Sequence, residues 1–167
     1  RDRLSFTTAN WNSAQTVTVT GVDDNLVDGT KNSTITITVV DVISDDSFDS
    51  VADQTVSAAT TDNDVAGFTI TQSGGSTSVS ESGSTDTFTV VLNAQPASNV
   101  VLSISSSDSG EATTTTSLLT FTSGNWNSAQ TVTVTGIDDN IIDGTITSTL
   151  TLAIVEAITE DNLETVT

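Results

Sequence analysis

Aliphatic and hydroxyl residues alternate along much of this chain. The pattern is clearest at Thr16-Val17-Thr18-Val19-Thr20, from Thr34 to Val39, from Thr87 to Val90 and from Thr149 to Leu152. A period of two sends every second side chain to the same face, so Val, Ile, Leu and Phe line one side and Thr the other. That is the signature of a half-buried strand, and β-branched Thr suits its solvated face. No segment repeats its apolar positions every 3.6 residues, so the pattern predicts an all-β chain. Gly, Asn, Asp and Ser separate predicted strands at residues 66–72 with 76–80, 85–93, 99–106, 112–122, 129–137 and 145–155, with a further strand at 53–62.

The pattern also repeats at long range. The run from Trp11 to Gly21 returns unchanged as Trp126 to Gly136, an offset of 115 positions that holds from Leu4 against Leu119 to Ala52 against Thr167. A period of that length matches one sandwich domain. Residues 1–64 are expected to be the C-terminal part of one repeat with its first strands missing. Residues 65–167 are expected to be the next repeat, lacking the closing strand that 53–62 represents. Seven or so strands per period, with turns between them, predict immunoglobulin-like antiparallel β-sandwich repeats in tandem. Strand edges orphaned in this way need partners from flanking chain or from neighbouring molecules.

Composition narrows the function classes. Three Lys and Arg against 22 Asp and Glu give a formal charge of -19, a field that repels nucleic acid and anionic lipid and attracts cations. Oxygen-only ligands select hard cations such as Ca2+. Cys is absent, which removes disulfides and thiolate metal sites as staples. No apolar run is long enough to span a bilayer, and no signal peptide is evident, so export and anchoring signals are expected elsewhere in a longer parent protein. At 35% apolar residues in strict alternation, the chain is expected to be ordered despite its charge.

The strictest recurrence is acidic. Asp23-Asp24-Asn25-Leu26-Val27-Asp28-Gly29 returns as Asp138-Asp139-Asn140-Ile141-Ile142-Asp143-Gly144. One reading is a polar loop in which Asn, Asp and Gly supply turn conformations. Against it, three carboxylates within six residues repel one another, a cost that a turn does not require and a divalent ion reverses. In an immunoglobulin-like sandwich the loop between the first two strands and the exit of the last strand reach the same pole. Glu81 falls in the former, and Asp62 and Asp64 at the latter.

Taken together, Ser-Leu-Leu-Thr-Phe-Thr-Ser-Gly-Asn-Trp, then Gln-Thr-Val-Thr-Val-Thr-Gly-Ile-Asp-Asp, then Asp143, and a close at Asp62-Asn63-Asp64, make the chain resemble the Calx-beta family. These repeats occur in sodium/calcium exchangers, integrin β4 and large bacterial surface proteins. The resemblance implies a calcium site from Asp138, Asp139, Asp143 and Glu81, and in the first copy from Asp23, Asp24, Asp28, Asp62 and Asp64. It adds the main-chain oxygens of Leu26 and Ile141 as ligands. Two departures stand out. The family's acidic residue before an aromatic has no counterpart, because Thr113 to Thr116 occupy that stretch, and Asn63 centres the closing triplet. The reduced charge implies one ion, or a weaker pair, at each pole.

Catalysis finds no support. His, Cys and Tyr are absent, Lys31 is the only lysine, and no Ser has a base to activate it. Trp11 and Trp126 each follow an Asn turn, where a lone aromatic reads as an edge plug before it reads as a sugar platform. The sequon Asn32-Ser33-Thr34 is assigned no function. The expectation is a non-catalytic, calcium-stabilised structural repeat of an exported bacterial cell-surface adhesin or fibrous stalk. Its partners would be neighbouring repeats or identical chains, with a cell-surface or matrix target elsewhere in the parent. The alternatives are a glycan- or protein-binding module, or the subunit of an extracellular filament assembled by strand exchange.

Overall fold

The computed structural model describes residues 3–156; residues 157–167, which the second predicted repeat includes, lie outside the described residues. Antiparallel strands dominate, as the alternation predicts. The described residues divide into two compact units, residues 3–24 with 28–62, and residues 25–27 with 63–156.

In the second unit, β3 (Phe68–Gln72), β4 (Thr85–Leu92), β8 (Gln130–Gly136) and β6 (Ala112–Thr114) form one sheet in the order β3-β4-β8-β6. A second sheet orders β7 (Leu118–Phe121), β5 (Val100–Ser106) and β9 (Leu150–Ile154) as β7-β5-β9. Both sheets feed one apolar cluster. Phe88, Val90 and Leu92 from β4 alternate with half-buried Thr87, Thr89 and Val91, and Val132 and Val134 from β8 meet Leu102 and Ile104 from β5 and Leu119 and Phe121 from β7. Trp126 packs against this cluster from its edge.

Two predicted strands take another form. Residues 112–122 are expected as one strand, yet the chain changes sheets within them. Thr115 N–H donates to Thr133 O of β8, while Ser117 O accepts from Ile104 N–H of β5. Residues 76–80 do not pair as a strand, because side chains take their backbone donors. Ser78 N–H donates to Asp86 Oδ2 at 2.8 Å and Ser80 N–H to Ser84 Oγ at 2.8 Å. The Ser73 hydroxyl also donates to Asp86, as does Thr87 N–H, and with Ser78 they hold that carboxyl below its ordinary range.

The first unit holds β1 (Lys31–Ile37) and β2 (Gln54–Thr60), paired antiparallel with Ile35 opposite Val56. Its predicted strand at Thr16–Thr20 does not form. Gln15 to Gly21 has the same sequence as β8, but among the described residues it lies outside any ladder, with Val17 and Val19 exposed where Val132 and Val134 are buried. A strand is stabilised by its neighbours rather than by internal hydrogen bonds, so the same heptapeptide without partners stays irregular.

The local turn ahead of it survives in both copies. Thr7 N–H donates to Asn10 Oδ1 and Gln15 Nε2 to Ser5 O; likewise Thr122 N–H donates to Asn125 Oδ1 and Gln130 Nε2 to Thr120 O. These bonds close within ten residues and need no second sheet.

The two copies give a matched comparison of burial. Phe121 is fully buried while its counterpart Phe6 is 54% exposed. Phe121→Ala should lower unfolding stability by about 3–5 kcal/mol, and Phe6→Ala by less than about 0.5 kcal/mol. Urea unfolding of each variant measures the difference, and equal losses would show that the first copy's turn is as well packed as the core.

Candidate metal centre

The pairing of β6 with β8 builds one end of the second unit. Ala112 lies opposite Gly136, and the ladder continues one step as Ile137 N–H donates to Glu111 O at 2.9 Å. Glu111 is thereby pinned beside the start of the acidic loop 138–144. Within that loop Asp139 Oδ1 accepts from Ile141 N–H at 2.7 Å, a local turn that Asp favours. Gly144 then takes φ +80°, a left-handed conformation suited to glycine.

The outcome is a triad. Carboxylate oxygens of Glu111, Asp139 and Asp143 lie within 4.8 Å of one another, with Glu111 and Asp139 half-buried and Asp143 exposed. Calcium holds its oxygens at about 2.3–2.6 Å, so two oxygens on one ion are at most about 5 Å apart. The spacing therefore fits a single hard cation. Partial burial, then the charges of Asp143, Asp139, Asp108 and Glu81, hold the Glu111 carboxyl above its ordinary value.

A close backbone approach positions Glu81. A side chain at Gly136 would put its Cβ 2.2 Å from Ser80 O; only glycine admits the Ser80–Gly83 turn, where Gly83 N–H donates to Ser80 O. Glu81 is thus near enough to raise Glu111 but stands outside the triad, as does Asp138. The Ile141 main-chain N–H serves the Asp139 turn. Glu111 is the residue that sequence reasoning missed. Its signal was an acidic residue two positions before the Thr113 to Thr116 stretch, legible only once β6 and β8 are in register.

The first copy is arranged differently. Asp62 Oδ2 accepts from Asp28 N–H at 2.8 Å and Gly29 N–H at 2.7 Å, closing the loop through backbone donors. Lys31 Nζ lies 3.4 Å from Asp28 Oδ2. The position matching Lys31 in the second copy is Ile146, so Asp143 has no such lysine. Leu26 forms a parallel bridge with Gln95, whose N–H donates to Asn25 O at 2.7 Å. Among the described residues, neither Asp23, Asp24, Asp28 nor Asp62 or Asp64 joins a group of three or more acidic ligands like the triad.

Searches of known protein families, of curated proteins and of solved structures find no match to this chain.

Two measurements probe this end of the unit. The folded state binds the Glu111 proton more tightly than the unfolded chain does. Without divalent ions, the stability it contributes is therefore greatest in acid and declines as pH rises from its ordinary 4.5 through the raised folded value. Glu111→Gln should flatten that decline in melting temperature between about pH 4 and about pH 7; the same decline in both proteins would locate the repulsion elsewhere.

Gly136→Ala should cost about 1–3 kcal/mol by forcing the Ser80–Gly83 turn to shift. An unchanged midpoint in urea would show that the turn yields freely.

Proposed function

We propose that the chain is a non-catalytic structural repeat, stabilised by calcium, from an exported cell-surface adhesin or fibrous stalk of Calx-beta type, built as immunoglobulin-like sandwiches in tandem. The observation that carries this reading is the gathering of Glu111, Asp139 and Asp143 within 4.8 Å in a chain with 22 acidic residues and no cysteine. Glu111 strengthens the calcium reading, because it supplies a carboxylate from the strand side that the loop lacks. Main-chain and water oxygens would complete the coordination of an ion that takes six to eight ligands.

The mechanical role follows from where the ion acts. Calcium would tie the strand entering β6 to the loop leaving β8, replacing repulsion by shared coordination. Repeats stiffened at their poles can hold a distal binding region away from a cell. The absence of His, Cys and Tyr supports a non-catalytic role, since nucleophile and base pairs have little to draw on.

Calcium at 100 times its dissociation constant should stabilise the second unit by about 2.7 kcal/mol. Asp139→Asn and Glu111→Gln should abolish most of that gain, whereas Asp53→Asn, which changes the same charge at an exposed position outside the triad, should leave it intact. Calorimetric titration and melting curves in calcium and in chelator measure both effects. Coincident melting curves, or equal losses in all three variants, would overturn the metal reading.

A further inference from the structure

Among the described residues, the second unit has an open side. A groove of about 870 Å3 runs between β3, the edge of one sheet, and the segment leading into β9, the edge of the other. Ile70, Phe88, Val134, Leu150 and Leu152 give it an apolar floor. Thr77 Oγ1 and Ser148 Oγ are buried in its wall with no hydrogen-bond partner among the described residues. Buried hydroxyls are rarely left so, and an apolar floor beside them marks a place for further chain.

The repeat identifies that chain. At the offset of 115, β1 (Lys31–Ile37) corresponds to residues 146–152. In the first unit these positions pair with β2 along all seven residues. In the second unit Leu150 to Ile154 pair with β5 on one edge, while 145–149 belong to no strand. We infer that the groove receives the β2 strand, Gln54–Thr60, of a second copy of this chain, continuing the sheet as β7-β5-β9-β2 in the pairing that β1 already displays.

The transferred register sets Ala58 opposite Ser148, Ser57 opposite Thr149 and Val56 opposite Leu150. Leu150 and Leu152 pack on the core, so period-two alternation turns Val56 and Ala58 inward with them. Val56 is 54% exposed beside β1 and becomes buried. The strand brings no charge to a rim that holds Glu81 and Glu111. Exchange breaks the donor's pairing with β1, in a two-stranded sheet that is marginal by itself, and regains the same pairing with added burial. That is the economy of domain swapping. The inference does not depend on calcium.

Cysteine-free chain makes the register directly testable. Full-length Ala58→Cys and Ser148→Cys chains, mixed and oxidised at about 0.15 M salt to screen their charge, should give a disulfide-linked heterodimer in chelator as in calcium. Ser57→Cys with Ser148→Cys should give several-fold less, because adjacent residues face opposite ways. Equal yields for the two pairs, or none above that of Ser47→Cys with Ser148→Cys, would overturn the inference. In sedimentation, the unsubstituted chain should gain mass with concentration and Val56→Asp, at a position exposed beside β1, should stay monomeric. A chain that stays monomeric throughout, or equal association of Val56→Asp, would also overturn it.

Discussion

Both edges of β8 are hydrogen-bonded, to β4 on one side and to β6 on the other, and the second unit is organised by that double pairing. Its inward Val132 and Val134 are buried in the core. At its end, Gly136 admits the turn carrying Glu81, and the next residue, Ile137, binds the backbone of Glu111. Core, turn and acidic triad therefore share one strand. Its heptapeptide occurs again at Gln15 to Gly21 without forming a ladder, so the organising property lies in the partners rather than in the strand.

The triad is a place where folding and charge oppose each other. Apolar burial and backbone pairing bring Glu111 to the loop, and the loop's carboxylates then resist its ionisation. Partial burial weakens solvent screening of that resistance. The first copy meets the same difficulty with its own chain, through Lys31 beside Asp28 and the backbone donors that Asp62 receives. Lysine in one copy and isoleucine in the other give two equivalent loops different needs. The spacing of the oxygens in the second would suit a hard cation.

The groove expresses the same dependence on partners along a sheet edge. Among the described residues β9 is bonded on one edge only, and a core with one side uncovered leaves apolar surface beside space that a strand would fill. Pairing in the first unit supplies the sequence and register of that strand, which the groove alone could not specify.

Much was legible from the residues alone. Alternation of Thr with Val and Phe determined which positions face inward on β4 and β8, because strand geometry has a period of two whatever the fold. Thr7 to Asn10 and Thr122 to Asn125 form the same turn twice, since their hydrogen bonds span only a few residues. The acidic loop was visible too, as was Gly144 at its end. Tertiary structure decided the remainder. Residues 112–122 divide between two sheets, 76–80 give their donors to Asp86 and Ser84, and Gln15 to Gly21 remains unpaired. Glu111 joins Asp139 and Asp143 across a separation of 28 residues or more in sequence. Turns are settled by short-range bonds, which a sequence carries within itself; strand pairing, burial and carboxylate repulsion are settled by residues distant in the chain, whose meeting depends on register.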